Sequence, residues 1–325
     1  MKKQMKKRMK YILAGGMLLL LLGFFGLSWF VGVQVFASAT QLVTNEETKG
    51  VTDEFWEKYH VDYDAFCRKY KIETINITST FDGHNIPADY IYTEQAYPEK
   101  NCKTVILVHG LGGNRYNNYP LAEFFLEQGY NVLTYDQRSS NENTAKYTTF
   151  GYWEKFDLID CIDYVKEQAP ETTLGVWGTS FGGATAGLAL GYQDTKDKVD
   201  FMILDCPVSS MEWMLIESMQ QMDTTIPTGY MIWCGNIINK VKLGFFYTDA
   251  DVAKSVTEVD IPVLVINSKA DETTPYFMGK DIYDKLPEEN KTIWTVEDSE
   301  HAKIWLDDNK EYKTHILQLL EHCED

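Results

Sequence analysis

Ser180 lies in the run Val176-Trp177-Gly178-Thr179-Ser180-Phe181-Gly182-Gly183, which contains a G-x-S-x-G pattern. A serine hydroxyl is a weak nucleophile at neutral pH. It attacks a carbonyl only with a general base beside it, a third group to hold that base, and donors ready for the oxyanion. The pattern sits between an apolar, β-prone stretch (Thr172–Trp177) and a small-residue, helix-compatible one (Ala184–Leu190). A sharp strand-to-helix turn of that kind lifts the hydroxyl clear of the backbone and aims the following N–H at the reacting oxygen. Plain glycine-rich turns produce the same short pattern without any chemistry, so the partners of Ser180 have to be sought elsewhere in the chain.

The chain has 6 histidines. His60 falls in amphipathic helices ahead of the main domain, His84 in a hairpin turn, and His315 and His322 in the last helix, where packing or surface roles suffice. His109 ends an apolar strand and opens the run "HGLGGN". His301, in "EDSEHAKIW", stands in the loop directly after the last expected strand, where an imidazole can swing toward Ser180. It is the best candidate base. For the orienting acid, Asp271 in "VLVINSKADETTP" lies just past the end of its strand, and Asp205 in "MILDCP" is the alternative. The order Ser180, Asp271, His301 follows the Ser…Asp…His order of one class of serine hydrolase. The oxyanion donors would be the backbone N–H groups of Phe181 and Leu111, the latter in a loop whose glycines let the backbone approach a substrate.

Other chemistries lack support. There is no H-E-x-x-H pair, no Walker-type phosphate loop, and no Cys/His ligand spacing, so neither a metal nor a cofactor is implied. The 6 cysteines are widely scattered, which suits buried free thiols better than any readable disulfide framework.

The elements that must position these residues alternate. An antiparallel hairpin is expected over Lys71–Thr80 and Ile86–Tyr92. Buried strands follow at Lys103–Gly110, Tyr130–Asp136, Thr172–Trp177, Val199–Pro207, Ile261–Ser268 and Lys291–Val296. Helical patterns lie between or after them, at Tyr119–Gly129, Gly151–Gln168, Pro275–Leu286 and Asn309–Cys323. Such alternation indicates a mostly parallel sheet covered on both faces, with the ligand site beyond the carboxyl ends of its strands. Residues 208–257 break the rhythm. That stretch is rich in Met and aromatic residues and is read as a helical cap over an apolar pocket.

The N-terminus has its own logic. The first ten residues carry six basic groups and no acid, in a chain whose net charge is −18. The rest is therefore strongly acidic, which argues against binding a nucleic-acid backbone. Tyr11–Ala39 contains no charge and exceeds the roughly 20 apolar residues a membrane-spanning helix needs. The basic cluster before it would stay cytoplasmic, placing the remainder outside. Cleavage after Ala37-Ser38-Ala39 would instead release a secreted protein, but the apolar run is longer than a signal peptide's core, which favours an uncleaved anchor. The organisation expected is a basic cytoplasmic segment (1–10), a transmembrane anchor (11–39), a linker with amphipathic helices (40–70), and a catalytic domain (71–325) with its cap.

Taken together, "VILVHGLGGNRYNN", "GYNVLTYDQR", "GVWGTSFGGATAGLAL", "LDCPVSS", "IPVLVINSKADETTP" and "SEHAKIW" make the chain resemble the α/β-hydrolase superfamily over about residues 70–323. Within it the chain is similar to bacterial serine hydrolases of the serine aminopeptidase-like and monoglyceride-lipase-like branch. The resemblance implies Ser180 as nucleophile, Asp271 as acid, His301 as base, and Leu111 with Phe181 as oxyanion donors. It implies hydrolysis of a carboxylic ester or related acyl bond in a small molecule, with a peptide bond, acyl transfer, or a silent interaction module as alternatives. Two departures stand out. Ser139-Ser140-Asn141 follow "YDQR" where the family continues R-G-x-G, and "NSKAD" replaces the usual His-Gly before the acid.

Overall fold

Four of the strands are largely apolar runs of five or six residues in which every residue is buried, the signature of strands covered on both faces. A computed structural model of the chain describes residues 2–58, 62–93, 103–195 and 197–323. His60 and Cys102 lie outside the described residues. In chain order the elements are α1 (Lys2–Thr40), α2 (Asn45–Lys58), α3 (Tyr63–Lys69), β1 (Lys71–Thr78), β2 (Asn85–Tyr92), β3 (Thr104–Val108), α4 (Tyr119–Glu127), β4 (Asn131–Tyr135), α5 (Glu154–Gln168), β5 (Leu174–Thr179) and α6 (Phe181–Leu190). They continue with β6 (Phe201–Asp205), α7 (Met211–Gln220), α8 (Thr228–Leu243), α9 (Val252–Ser255), β7 (Val263–Ser268), α10 (Tyr276–Lys285), β8 (Lys291–Val296), α11 (Ile304–Asp307) and α12 (Asn309–His322).

Eight strands form one sheet in the order β1-β2-β4-β3-β5-β6-β7-β8. The first two pair antiparallel to their neighbours, and the pairings from β4 to β8 are all parallel. The chain enters the parallel part at β3, moves out to β4, then returns to β5 on the other side. The order reverses there, and a crevice opens at the carboxyl ends of β3 and β5. His109 follows one of those ends and Ser180 the other.

One face of the sheet buries Val105, Leu107, Trp177, Phe201 and Ile266 in a cluster with Phe125 of α4 and Tyr312 and Ile316 of α12. The connections between parallel strands are the helices expected from the sequence. One stretch differs from expectation. Residues 45–50 are helical rather than linker, because Thr44 and Glu47 cap the start of α2: the Thr44 N–H donates to Glu47 Oε2 at 2.8 Å and the Glu47 N–H returns to Thr44 Oγ1 at 3.3 Å.

The chain divides into two compact units, Met1–Thr40 with Glu212–Asp249, and Gln41–Met211 with Ala250–Asp325. The larger holds the sheet. In the smaller, α8 packs along α1, the helix among the described residues that is long and apolar enough to cross a membrane.

Candidate active site

The turn from β5 into α6 forces Ser180 into an unusual backbone conformation, φ 55° and ψ −116°. Left-handed φ is costly for a residue with a Cβ, and here the surroundings impose it. The Ser180 N–H donates to the Asp205 carbonyl at 2.8 Å, and its own carbonyl accepts from Ala184 and Val208. The flanking glycines are required by contact. A Cβ on Gly178 would lie 2.3 Å from the Gly182 carbonyl oxygen, and one on Gly182 would lie 2.2 Å from that of Val108. The G-x-S-x-G pattern is therefore what lets β5, α6 and β3 meet this closely.

His301 reaches the same point from the loop after β8. Its Nε2 lies 2.9 Å from Ser180 Oγ, and its Nδ1 lies 2.8 Å from Asp271 Oδ2. Asp271 is itself fixed. Its Oδ1 accepts the N–H groups of Thr273 and Thr274, each at 2.8 Å, and the Thr274 hydroxyl lies 2.9 Å from Oδ2. Burial alone would raise this carboxyl, but the hydrogen bond and charge of His301, with the Thr274 bonds, outweigh it and hold the group below the ordinary value. Asp271 thus stays a carboxylate facing the imidazole.

Asp205, the alternative acid, turns elsewhere. Its Oδ2 accepts the Tyr312 hydroxyl at 2.9 Å, and that hydroxyl accepts Trp177 Nε1 at 2.9 Å. Burial pushes its carboxyl up to about 6. The Asp205–Tyr312–Trp177 chain lines the cavity beside Ser180. Nothing in the sequence around Tyr312, in the first turn of the final helix, signals this role.

Leu111 also lines the cavity, in the turn after β3. Phe181 is the first residue of α6, where the backbone N–H has no partner one turn earlier in the helix. His109 braces the Leu111 turn. Its Nδ1 donates to the Gly110 carbonyl at 2.8 Å, its Nε2 accepts the Gln137 N–H at 2.9 Å, and Gln137 Nε2 returns to the His109 carbonyl. Complete burial lowers its pKa to about 4, so it stays a neutral, one-donor, one-acceptor bracket. Arg115 anchors the far end of the loop, with Nε on Asp89 at 2.9 Å and its Nη groups on Asp136 and Glu142.

The cavity measures about 310 Å³. Val51 and Phe55 of α2, Leu121 of α4 and Trp305 of α11 give it apolar walls, and every lining residue belongs to the larger unit. The contribution of α2 was not foreseen, because an amphipathic helix ahead of the sheet carries no mark of what its apolar side covers. The metal-type donors grouped here are Cys206, Asp271 and His301, whose ligand atoms lie within 4.8 Å of one another. The His301 and Asp271 atoms are already spent on each other, and burial pushes the Cys206 thiol well up, keeping it protonated. Cys67, Cys161 and Cys234 are free thiols as well.

The model of the family described as "alpha/beta hydrolase fold" matches residues 103–231. The solved Pyrococcus furiosus esterase Pf2001 superposes with a TM-score of 0.62 at 23% identity, over 78% of this chain and 93% of that one. The chain has the α/β-hydrolase fold. Among curated relatives, the chain is 28% identical to the uncharacterized protein YqkD of Bacillus subtilis, over 80% of this chain and 90% of that protein. It is 22% identical to the lysophosphatidylserine lipase ABHD12 of Danio rerio, over 65% of this chain and 56% of that one. The ferulic-acid-bound Est1E of Butyrivibrio proteoclasticus is a further structural neighbour, with a TM-score of 0.56 at 19% identity over 76% of this chain and 99% of its own.

Proposed function

We propose that this protein is a serine hydrolase of the α/β-hydrolase family, tethered to the cell membrane by α1 with its catalytic unit outside the cytoplasm, that cleaves a carboxylic ester with an apolar acyl or aryl portion. The observation that carries the reading is the unbroken hydrogen-bonded line from Ser180 Oγ through His301 to Asp271, at 2.9 and 2.8 Å. His301 Nε2 takes the Ser180 proton as Oγ bonds to the ester carbon. The carbonyl electrons move onto oxygen, where the N–H groups of Leu111 and Phe181 receive the charge. Asp271 holds the imidazolium meanwhile. Collapse of the intermediate expels the alcohol, which takes the proton from His301 and leaves an acyl-Ser180. Water, deprotonated by the same imidazole, attacks the acyl group and restores the serine. The apolar walls from Phe55, Leu121 and Trp305 support an apolar acyl or aryl group, and the esterase and lipase names among the relatives favour an ester over a peptide bond.

A fluorophosphonate probe on the full chain tests this. Wild type should label and hydrolyse p-nitrophenyl butyrate. Ser180→Ala should not label, and its kcat should fall by about four orders of magnitude or more. Equal labelling of the two proteins would refute the nucleophile assignment. Faster cleavage of aminoacyl anilides than of esters would move the reading to a peptidase.

A further inference from the structure

The smaller unit carries a feature that the membrane-anchor reading alone leaves unexplained. Helix α8 runs alongside the C-terminal half of α1 in the same direction. Tyr230 meets Phe24 and Ser28, Cys234 and Ile238 meet Gly32, and Lys242 sits over the Phe36 ring. The contact is close because both helices place glycine at the crossing. A Cβ on Gly32 would lie 2.7 Å from the Cys234 carbonyl oxygen, and one on Gly235 would lie 2.2 Å from Val35 Cγ1. Small residues at a helix crossing are the packing device of helices within bilayers. The hydroxyls at the lower end are satisfied internally. Ser28 donates to the Phe24 carbonyl at 2.8 Å, so Tyr230 donates to Ser28 across the 2.6 Å contact.

Depth follows from this register. The last charge before the apolar run is Lys10, so a span of about 20 residues that starts at Tyr11 ends near Phe30. Phe24 and Ser28 lie inside that span, and the start of α8 lies beside them. Tyr11 and Trp29, about 27 Å apart along the helix axis, stand where aromatic belts form at the two membrane surfaces. Trp233, one turn into α8, is 49% exposed at nearly the level of Trp29, itself 56% exposed. The connection from α7 into α8 carries Met222 and Ile226, which are 45% and 37% exposed.

Resting on the anchor reading above, we propose that the α7–α8 hairpin is itself membrane-seated. Its tip, with Met222, Ile226, Tyr230 and Trp233, enters the leaflet farther from the basic N-terminus, beside α1. The occupant of its exposed apolar side is lipid. Asp223, Thr224 and Thr225 at the tip keep the insertion shallow, at the boundary between headgroups and acyl chains, roughly 5–10 Å deep. The helix α1 is then half of a two-part membrane unit rather than a bare tether.

The test uses the full chain in phosphatidylcholine–phosphatidylglycerol vesicles containing a phosphatidylcholine with a diazirine on its acyl chain. After photolysis, adducts are mapped by mass spectrometry. The expected result is labelling of 222–233 as well as 11–30, each several-fold above α10, whose exposed Phe277 reports background on the larger unit. Adducts in 11–30 with 222–233 at the α10 level would overturn the hairpin proposal and leave the anchor standing. Adducts in neither stretch would overturn both.

Discussion

Two buried carboxylates lie near His301, and geometry separates their roles. Asp271 accepts from the imidazole at 2.8 Å and is held ionised by bonds from Thr273 and Thr274, whereas Asp205 spends its Oδ2 on Tyr312 and is pushed up to about 6 by burial. A carboxylate that stabilises a transient imidazolium must be charged and in contact with the ring. Asp271→Asn should therefore lower kcat on p-nitrophenyl butyrate by about 10⁴, with the imidazole left in the wrong tautomer. Asp205→Asn should stay within about tenfold of wild type, because an amide oxygen still accepts from Tyr312. The reverse ranking would make Asp205 the orienting group. Asp271 was visible in the sequence from its place just past the end of a strand and from the chain order Ser180, Asp271, His301. Tyr312 was invisible, because its partner Asp205 is more than a hundred residues away and no local pattern joins them.

At the scale of elements, the active-site loop after β3 is held by His109, which joins the Gly110 carbonyl to the Gln137 N–H beyond β4. Its depressed pKa, about 4 against an ordinary 6.5, gives a signed expectation. Above pH 6.5 both folded and unfolded chains carry a neutral imidazole, and the group adds no pH dependence. As pH falls below 6.5 the unfolded chain takes up a proton that the folded chain refuses until about 4, so stability is lost across that window. His109→Gln should be less stable than wild type at pH 7, and the gap should shrink by about 2–3 kcal/mol by pH 4.5. Urea unfolding of the detergent-solubilised full chain at several pH values measures it. A gap that does not vary with pH would mean His109 is not kept neutral. Strand positions were legible throughout, because apolar runs bounded by turn residues leave little freedom. The Ser139-Ser140-Asn141 departure was legible only as a difference. Ser139 and Asn141 in fact keep left-handed φ of 60° and 46°, where glycine is the usual occupant. Their side chains offset the cost, Ser139 Oγ donating to the Ala145 carbonyl and Asn141 Nδ2 to Asp136, each at 2.9 Å. The start of α2 was written in Thr44-Asn45-Glu46-Glu47 as a capping box, but the polar character of the stretch reads as linker unless that spacing is weighed.

For the molecule as a whole, charge and hydrophobicity are separated along the chain. Six basic residues precede the apolar helix, and an acidic body of net charge more negative than the chain's −18 follows it. A basic flank is retained on the cytoplasmic side, while a large domain after the helix is translocated largely regardless of its acidic charge. The apolar run extends from Tyr11 to Ala39 without a charged residue, which outlasts a signal-peptide core and favours retention of the helix after export. Cys67 on α3 offers a direct readout, being an exposed free thiol on the larger unit. In intact cells a membrane-impermeant maleimide should modify the peptide carrying Cys67. Cys67→Ser should abolish that adduct, and the labelled protein should stay with the membrane fraction, its N-terminus still Met1. Modification only after permeabilisation would place the catalytic unit in the cytoplasm while sparing the anchor. Labelled protein in the medium beginning at Thr40 would instead make α1 a cleaved signal, and would remove the bilayer that the α7–α8 hairpin is proposed to share with it.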